Sequence, residues 1–284
     1  MKKTEVLARA LTAYRDGDQA EAADLAGRAG STLGTELNRY LTEGGGGGPV
    51  YDRPAAFTAF IRGGGNVKLY RRLSEVLARR YGGIGSLLDI GCGDGLAVVP
   101  ALEQADRQPG RIDLVEPSSA LLDEARKHLD GTHGVHTWDA TAQEFLARDD
   151  DRQWQLTQST FALQSIPTAE RTEVLRALRP RTTCLVLAEF DVPEHDEDSA
   201  EYLLSLVTRY ERGISEYGKD ASLVAQGFLL PILLGLVKPG ADRTNWEQPA
   251  TDWASQLKEA GFAGIRIEPL ADYWWSPAVL ITAS

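Results

Sequence analysis

The stretch Ser86-Leu87-Leu88-Asp89-Ile90-Gly91-Cys92-Gly93-Asp94-Gly95-Leu96 decides how the rest of this chain is read. An apolar run, Leu87 to Ile90, enters three glycines at alternate positions. A helical pattern follows at Leu96, Val98, Val99 and Leu102. The spacing predicts strand, tight turn and helix, the opening of a nucleotide-binding unit. Glycine suits the turn because it adopts positive φ and lets a ligand approach the backbone. The helix start beyond Gly95 turns N–H groups and a partial positive charge into the same crevice.

Working outward, a second strand reads Ile112-Asp113-Leu114-Val115-Glu116. Its terminal acid lies about 20 residues past Gly95, where nucleotide folds place the carboxylate that grips a ribose diol. The dinucleotide pattern Gly-x-Gly-x-x-Gly fails at its sixth position, which is Leu96. The string is instead Asp-x-Gly-x-Gly-x-Gly, with Asp89 on the strand. It resembles motif I of the class I S-adenosylmethionine (SAM) methyltransferases. The resemblance extends over residues 80–195 and 250–284.

That resemblance implies a Rossmann-like α/β fold. Its seven-stranded, mostly parallel sheet has helices on both faces and ends in an antiparallel hairpin. This chain adds a helical N-terminal extension and a helical insertion after the fifth strand. The implied cofactor is SAM, leaving S-adenosylhomocysteine as product. The implied cofactor residues begin with Asp89, Gly91, Cys92 and Gly93, with Glu116 on the ribose. Pro117 and Ser118 follow on the next turn. Asp139 and Ala140, after the third strand Val135-His136-Thr137-Trp138-Asp139, stand where relatives hold the adenine amine. Asp139 would equally serve as a helix N-cap for Ala142 to Leu146. Ser159, Thr160 and Gln164, around Phe161, resemble the motif that faces the transferred methyl. Many relatives carry His where this chain has Gln164, so an evident general base is missing. Tyr51, Phe60, Asn66 and Tyr70 precede the first strand as candidate pocket residues, though the aromatics among them read equally well as core.

Composition sets bounds. The chain has 284 residues, 43% hydrophobic and 25% charged, with a net charge of −11, ordinary proportions for a globular protein. The acidic balance argues against a nonspecific nucleic-acid or anionic-membrane partner. Two cysteines, Cys92 and Cys184, and four histidines lack metal-ligand spacing. No metal and no disulfide framework are expected, and a cytoplasmic setting is. Met1-Lys2-Lys3 is followed by no apolar core, so no signal peptide is expected. The most apolar stretch, Gly227 to Val237, reads as too short to span a bilayer. Cys184, in an apolar strand, reads as inert core.

Five segments are expected: a helical hairpin and glycine-rich linker over 1–48, a helical lid over 49–80, a SAM-binding core over 81–191, a helical insertion over 192–250, and a C-terminal helix and hairpin over 251–284 that complete the core. Residues 5–42 read as two helices that pack on the main domain or on a second copy of the chain. Gly44 to Gly48 is a hinge or a spacer. The insertion builds an acceptor pocket or lid, or a dimer interface. Tyr273-Trp274-Trp275 lines an acceptor pocket or forms a packed β-corner.

The expected reaction is in-line methyl transfer to a small, fairly apolar acceptor of the secondary-metabolite kind. His195, just past the fifth strand, and Tyr273 are the candidate catalytic residues. Glu189 and Asp191 are weaker ones, and His195 also reads as a solvated loop histidine among acids. Two alternatives stay open: a SAM-binding enzyme of this fold running a non-methylating reaction such as cyclisation, and a non-catalytic partner subunit.

Overall fold

The apolar runs and amphipathic helices alternate as a parallel α/β sheet requires. The computed structural model describes residues 2–44, 54–148, 151–238, 240 and 245–284. Four helices come first, α1 (Lys3–Arg15), α2 (Gln19–Arg28), α3 (Thr32–Thr42) and α4 (Pro54–Ile61). The long helix α5 (Gly64–Tyr81) leads to β1 (Ser86–Ile90), α6 (Val98–Gln104), β2 (Arg111–Glu116), α7 (Ser119–His128), β3 (Val135–Asp139) and α8 (Ala142–Leu146). Then follow β4 (Trp154–Thr160), α9 (Thr168–Leu178), β5 (Thr182–Phe190) and α10 (Ala200–Ser215). Helices α11 (Ala221–Val224) and α12 (Leu230–Val237) are joined by a π-helical turn over Ala225–Leu229. The chain ends with α13 (Ala250–Glu259), β6 (Arg266–Ala271) and β7 (Ala278–Ala283).

The chain divides into two compact units. One comprises Leu69–Pro193, Arg243–Asp272 and Pro277–Ser284. Its sheet has the order β3-β2-β1-β4-β5-β7-β6. All neighbours are parallel except β7, which runs antiparallel to both β5 and β6. The fold class expected from the sequence is therefore found, hairpin included. Strand order reverses at β1, which pairs with β2 on one side and β4 on the other. In such sheets the ligand crevice opens at the carboxyl ends of the strands flanking this point. The core on one face gathers Leu88, Ile90, Phe145, Trp154, Leu185, Leu187, Trp253 and Ile281. Burial of one such large apolar side chain contributes about 1.5–3 kcal/mol. Cys184 departs from the reading as core: it is only half-buried, beside a cavity lined by Arg80, Gln155 and Arg266.

The other unit comprises Met1–Lys68, Glu194–Asp242 and Tyr273–Ser276. It corrects the sequence reading in two places. Residues 5–42 form three helices, because Ser31 caps a new one: its Oγ accepts from the Gly34 N–H. The apolar stretch Gly227 to Val237 is also part of a longer helix. From Gly218 to Val237 it is continuous over 20 residues, long and apolar enough to cross a membrane by length and composition, and half of its apolar window is buried. It continues through Pro231 because the π-helical turn re-routes the hydrogen bonds beside a residue without an N–H. Phe60 stacks on Phe228 at 4.1 Å, and Trp274 packs edge-on against Tyr210 at 5.4 Å. The Tyr273-Trp274 pair is buried, so these two rings make the packed corner. Tyr51 and the run Gly45 to Gly48 lie outside the described residues.

Candidate active site

The site is built where β1 breaks. Gly91 stands at φ +71°, and a Cβ there would sit 2.3 Å from the Ala162 Cβ, in the loop after β4. The first glycine therefore permits a close approach of two loops as well as a turn. Gly93, at φ +57°, has nothing within 4 Å of where its Cβ would lie, so it opens space beside the backbone. The Gly91 and Cys92 N–H groups donate to the Val115 carbonyl at 2.8 and 3.2 Å, tying the turn to β2.

Glu116, buried at the end of β2, is held by two backbone donors. Gly93 N–H donates to its Oε2 at 3.1 Å and Ser118 N–H to its Oε1 at 3.0 Å. The first and second βα turns are thus joined through one carboxylate, aimed by the backbone before any ligand arrives. Ser118 also caps α7, accepting from Leu121 N–H. Pro117 between them is exposed.

Asp89 is a buried acid on β1. Its Oδ2 accepts from Gln158 Nε2 at 3.0 Å, while its Oδ1 has no partner. Burial pushes its pKa up to about 7; the Gln158 hydrogen bond pulls it back, and the Glu116 charge adds to the rise. Cys92 is buried, and desolvation beside these carboxylates drives its thiol far above the usual range, so it is inert.

Asp139 is exposed and accepts from Ser119 Oγ at 2.6 Å. Ala140 N–H donates to the Glu116 carbonyl. The N-cap of α8 is Thr141, in a capping box with Glu144, rather than Asp139. Ser159 is buried and its hydroxyl donates to the Ile90 carbonyl at 2.8 Å, so it fastens β4 to β1. Thr160, half-buried, ends β4.

Beyond Thr160 comes the only non-glycine residue with positive φ among the described residues, Phe161 at φ 53°. Such a conformation costs of order 1–3 kcal/mol and persists where neighbours over-determine it. Its ring stacks on Phe190 at 4.6 Å and meets Tyr70 edge-on at 6.0 Å. Gln164 Nε2 donates to the Phe161 carbonyl, and Gln164 Oε1 is buried without a partner.

A second polar cluster supports this loop, and sequence reading missed it. Arg171 is fully buried on α9. It donates to Gln256 Oε1, to the Trp246 and Leu163 carbonyls and to Gln248 Oε1, and its guanidinium lies 4.0 Å over the Trp253 ring. Trp246 N–H donates to the Gln164 carbonyl at 2.7 Å. Glu189 is fully buried beside the backbone N–H groups of Leu163 and Gln164. Burial raises its pKa well above the carboxylate range, and the Arg171 charge offsets part of that rise. Asp191 Oδ1 accepts from Ala250 N–H at the start of α13, a structural role.

The two candidate catalytic residues lie in the other unit. His195 is half-buried, its Nε2 buried without a partner, its ring 5.9 Å from that of Tyr202. Tyr273 is buried and its hydroxyl donates to Asn66 Oδ1 at 3.0 Å.

Residues 87–181 match the family model of a methyltransferase domain. The match takes in the glycine turn and the strands from β1 to β4. Comparison with curated proteins finds no match. Among solved structures, the chain is similar to an O-methyltransferase family protein from Burkholderia thailandensis, at a TM-score of 0.53 and 12% identity over 89% of this chain and 71% of that one. It is also similar to the mitomycin 7-O-methyltransferase MmcR, at 0.52 and 16% over 94% and 71%. A third is the SAM-dependent methyltransferase SibL, at 0.51 and 14% over 96% and 76%. At such identities the likeness is one of fold.

SAM is the cofactor that the methyltransferase-domain match implies, and the residues present fit it. A cationic ligand with a diol needs anionic acceptors and open backbone. The crevice offers an unpartnered buried oxygen on Asp89, an oriented carboxylate on Glu116 and free space at Gly93.

Proposed function

We propose that this methyltransferase acts on a small acceptor of the secondary-metabolite kind, by in-line transfer of the SAM methyl group. The observation that carries the cofactor end is Glu116, aimed by the N–H groups of Gly93 and Ser118. In this reading Glu116 takes the ribose diol as a bidentate acceptor. Asp89 Oδ1 takes the cofactor's amino group. Gly91, Cys92 and Gly93 offer backbone, and Pro117, Ser118, Asp139 and Ala140 flank the adenine. Ser159, Thr160 and Gln164 border the methyl end. Tyr51 belongs to the same set by resemblance alone. These acceptors suit a cation without a phosphate, which is why no phosphate cradle is needed.

The bound cofactor supplies a sulfonium-activated methyl group. What remains for the chain is to place and orient the acceptor and to exclude water. The rings of Phe161, Phe190 and Tyr70 give an apolar surface at the carboxyl edge of β4 and β5, which favours a flat, uncharged acceptor. A hydroxyl acceptor is the favoured class, in keeping with the named activities of the mitomycin and Burkholderia thailandensis proteins. His195 is assigned the proton from that hydroxyl, on the strength of its free, buried Nε2. Tyr273 is the weaker candidate, since its hydroxyl is already engaged. The free cysteines suit a cytoplasmic site of action.

The test has two stages. Calorimetry with S-adenosylhomocysteine on wild type and Glu116→Ala comes first: micromolar binding, weakened at least 30-fold by the substitution, is expected from loss of a charge-assisted bidentate contact worth about 2–3 kcal/mol. Incubation with methyl-labelled SAM and a panel of phenols and hydroxyquinones follows, and label in a product is expected. Cofactor binding with no label in any acceptor, but an altered acceptor, would instead select the non-methylating reading. Absence of cofactor binding would leave a partner subunit.

A further inference from the structure

We propose that Tyr81 and Gln158 form a buried positioning pair that decides which oxygen of Asp89 stays free, and so how firmly the amino end of the cofactor is held. The inference rests on the assignment of Asp89 to that end.

Tyr81 ends α5, Gln158 lies mid-strand in β4, and Asp89 lies on β1. All three belong to the sheet-bearing unit, and none is more than 1% exposed. Tyr81 donates from its hydroxyl to Gln158 Oε1 at 2.9 Å, and Gln158 Nε2 donates to Asp89 Oδ2 at 3.0 Å. A glutamine amide has two ends that occupy nearly the same shape, and its surroundings choose between them. An ionised aspartate only accepts, so the amide must present its nitrogen to Asp89. Its oxygen then needs a donor, and the Tyr81 hydroxyl is that donor. The relay uses up Oδ2 and leaves Oδ1 without a partner.

The electrostatics complete the argument. The titratable groups facing Asp89 are Tyr81 of α5, Cys92 of the glycine turn and Glu116 of β2. None of the three is a cation. A buried carboxylate with one unpartnered oxygen and no cation facing it among the described residues is a costly arrangement without a ligand. An ammonium group supplies both the missing charge and the missing donor. When Asp89 is protonated the amide can turn over, the hydroxyl of Tyr81 accepting from it instead of donating. The pair therefore favours the ligand-ready arrangement only while the Gln158 nitrogen points at Asp89.

The test compares two ligands. S-adenosylhomocysteine carries the amino-acid end; 5′-methylthioadenosine keeps the adenosine and the sulfur and lacks that end. Their dissociation constants are measured by calorimetry from pH 6 to 8.5 for wild type and Tyr81→Phe. Removing the hydroxyl should weaken S-adenosylhomocysteine about tenfold, the scale of one buried hydrogen bond. Methylthioadenosine should stay within about twofold. The pH at which S-adenosylhomocysteine gains its advantage should also move upward, because the Gln158 nitrogen is no longer held toward Asp89. Should Tyr81→Phe not fold, Gln158→Met carries the same comparison. Equal weakening of both ligands, or no change in either, overturns the pair as a positioning device. Failure of the wild type to bind either ligand overturns the cofactor assignment itself, which is a different result.

Discussion

Asp89→Asn should stabilise the ligand-free protein while it damages the cofactor site. In the folded chain Asp89 keeps its proton up to about pH 7, against an ordinary value of 3.8. Between those values the folded state binds more protons than the unfolded one, so stability falls as pH rises through the window and the loss is complete above pH 7. About three pKa units correspond to about 4 kcal/mol at pH 8. Asparagine removes that penalty and still accepts from Gln158 Nε2. Its amide nitrogen, placed where Oδ1 was, has no acceptor, which costs about 1–3 kcal/mol. The net gain at pH 8 is then about 1–3 kcal/mol, shrinking to nothing or reversing at pH 5. Urea midpoints of wild type and variant at pH 5, 6.5 and 8 measure it. Glu189, also raised by burial, titrates in both proteins and drops out of the difference. S-adenosylhomocysteine binding should change in the opposite sense, since the variant offers no anion to an ammonium group. Parallel pH profiles for the two proteins would refute the reasoning, because Asp89 would then titrate alike folded and unfolded.

Three further outcomes follow from the same geometry. Gly91→Ala places a methyl 2.3 Å from the Ala162 Cβ at φ +71°, and should cost at least about 2 kcal/mol; the double variant with Ala162→Gly should recover the steric part, measured as a cycle of unfolding free energies. Arg171→Met strips the donors from the loop after β4 and leaves Glu189 without its compensating charge, so a loss of about 3–5 kcal/mol is expected in chemical denaturation; a loss below about 1 kcal/mol would remove Arg171 as the organiser of that loop. His195→Ala should lower turnover about 100-fold with S-adenosylhomocysteine affinity unchanged if His195 accepts the acceptor's proton, and an unaltered rate would take it out of the reaction.

Much of the sheet was readable because its signals are local. The strands β1, β2 and β5 are short, largely apolar runs bounded by turn residues, and their order in the chain dictates the winding. The same holds for Glu116, whose distance from Gly95 places it at the next strand end. The helical parts were less legible. Ser31 as a cap and the π-helical turn around Ala225–Leu229 are small local choices, and a continuous apolar pattern hides them. Gln158 carried a faint signal: Thr157, Gln158 and Ser159 are polar residues in a central strand with apolar neighbours on both sides. Tyr81 carried none, being one aromatic at the end of a helix.

By itself the sequence determined the architecture, the glycine turn and the acid on the second strand, because backbone conformation and apolar periodicity are set by residues near one another. The partner of a buried polar atom is set by which strands and helices pack together. Gln158 is 77 residues from Tyr81 and 69 from Asp89, and hydrogen-bonds to both within 3.0 Å, and Arg171 reaches Trp246, Gln248 and Gln256 across similar separations. Only the tertiary structure could decide those pairings, since a desolvated charge takes its properties from whatever the packed fold brings beside it.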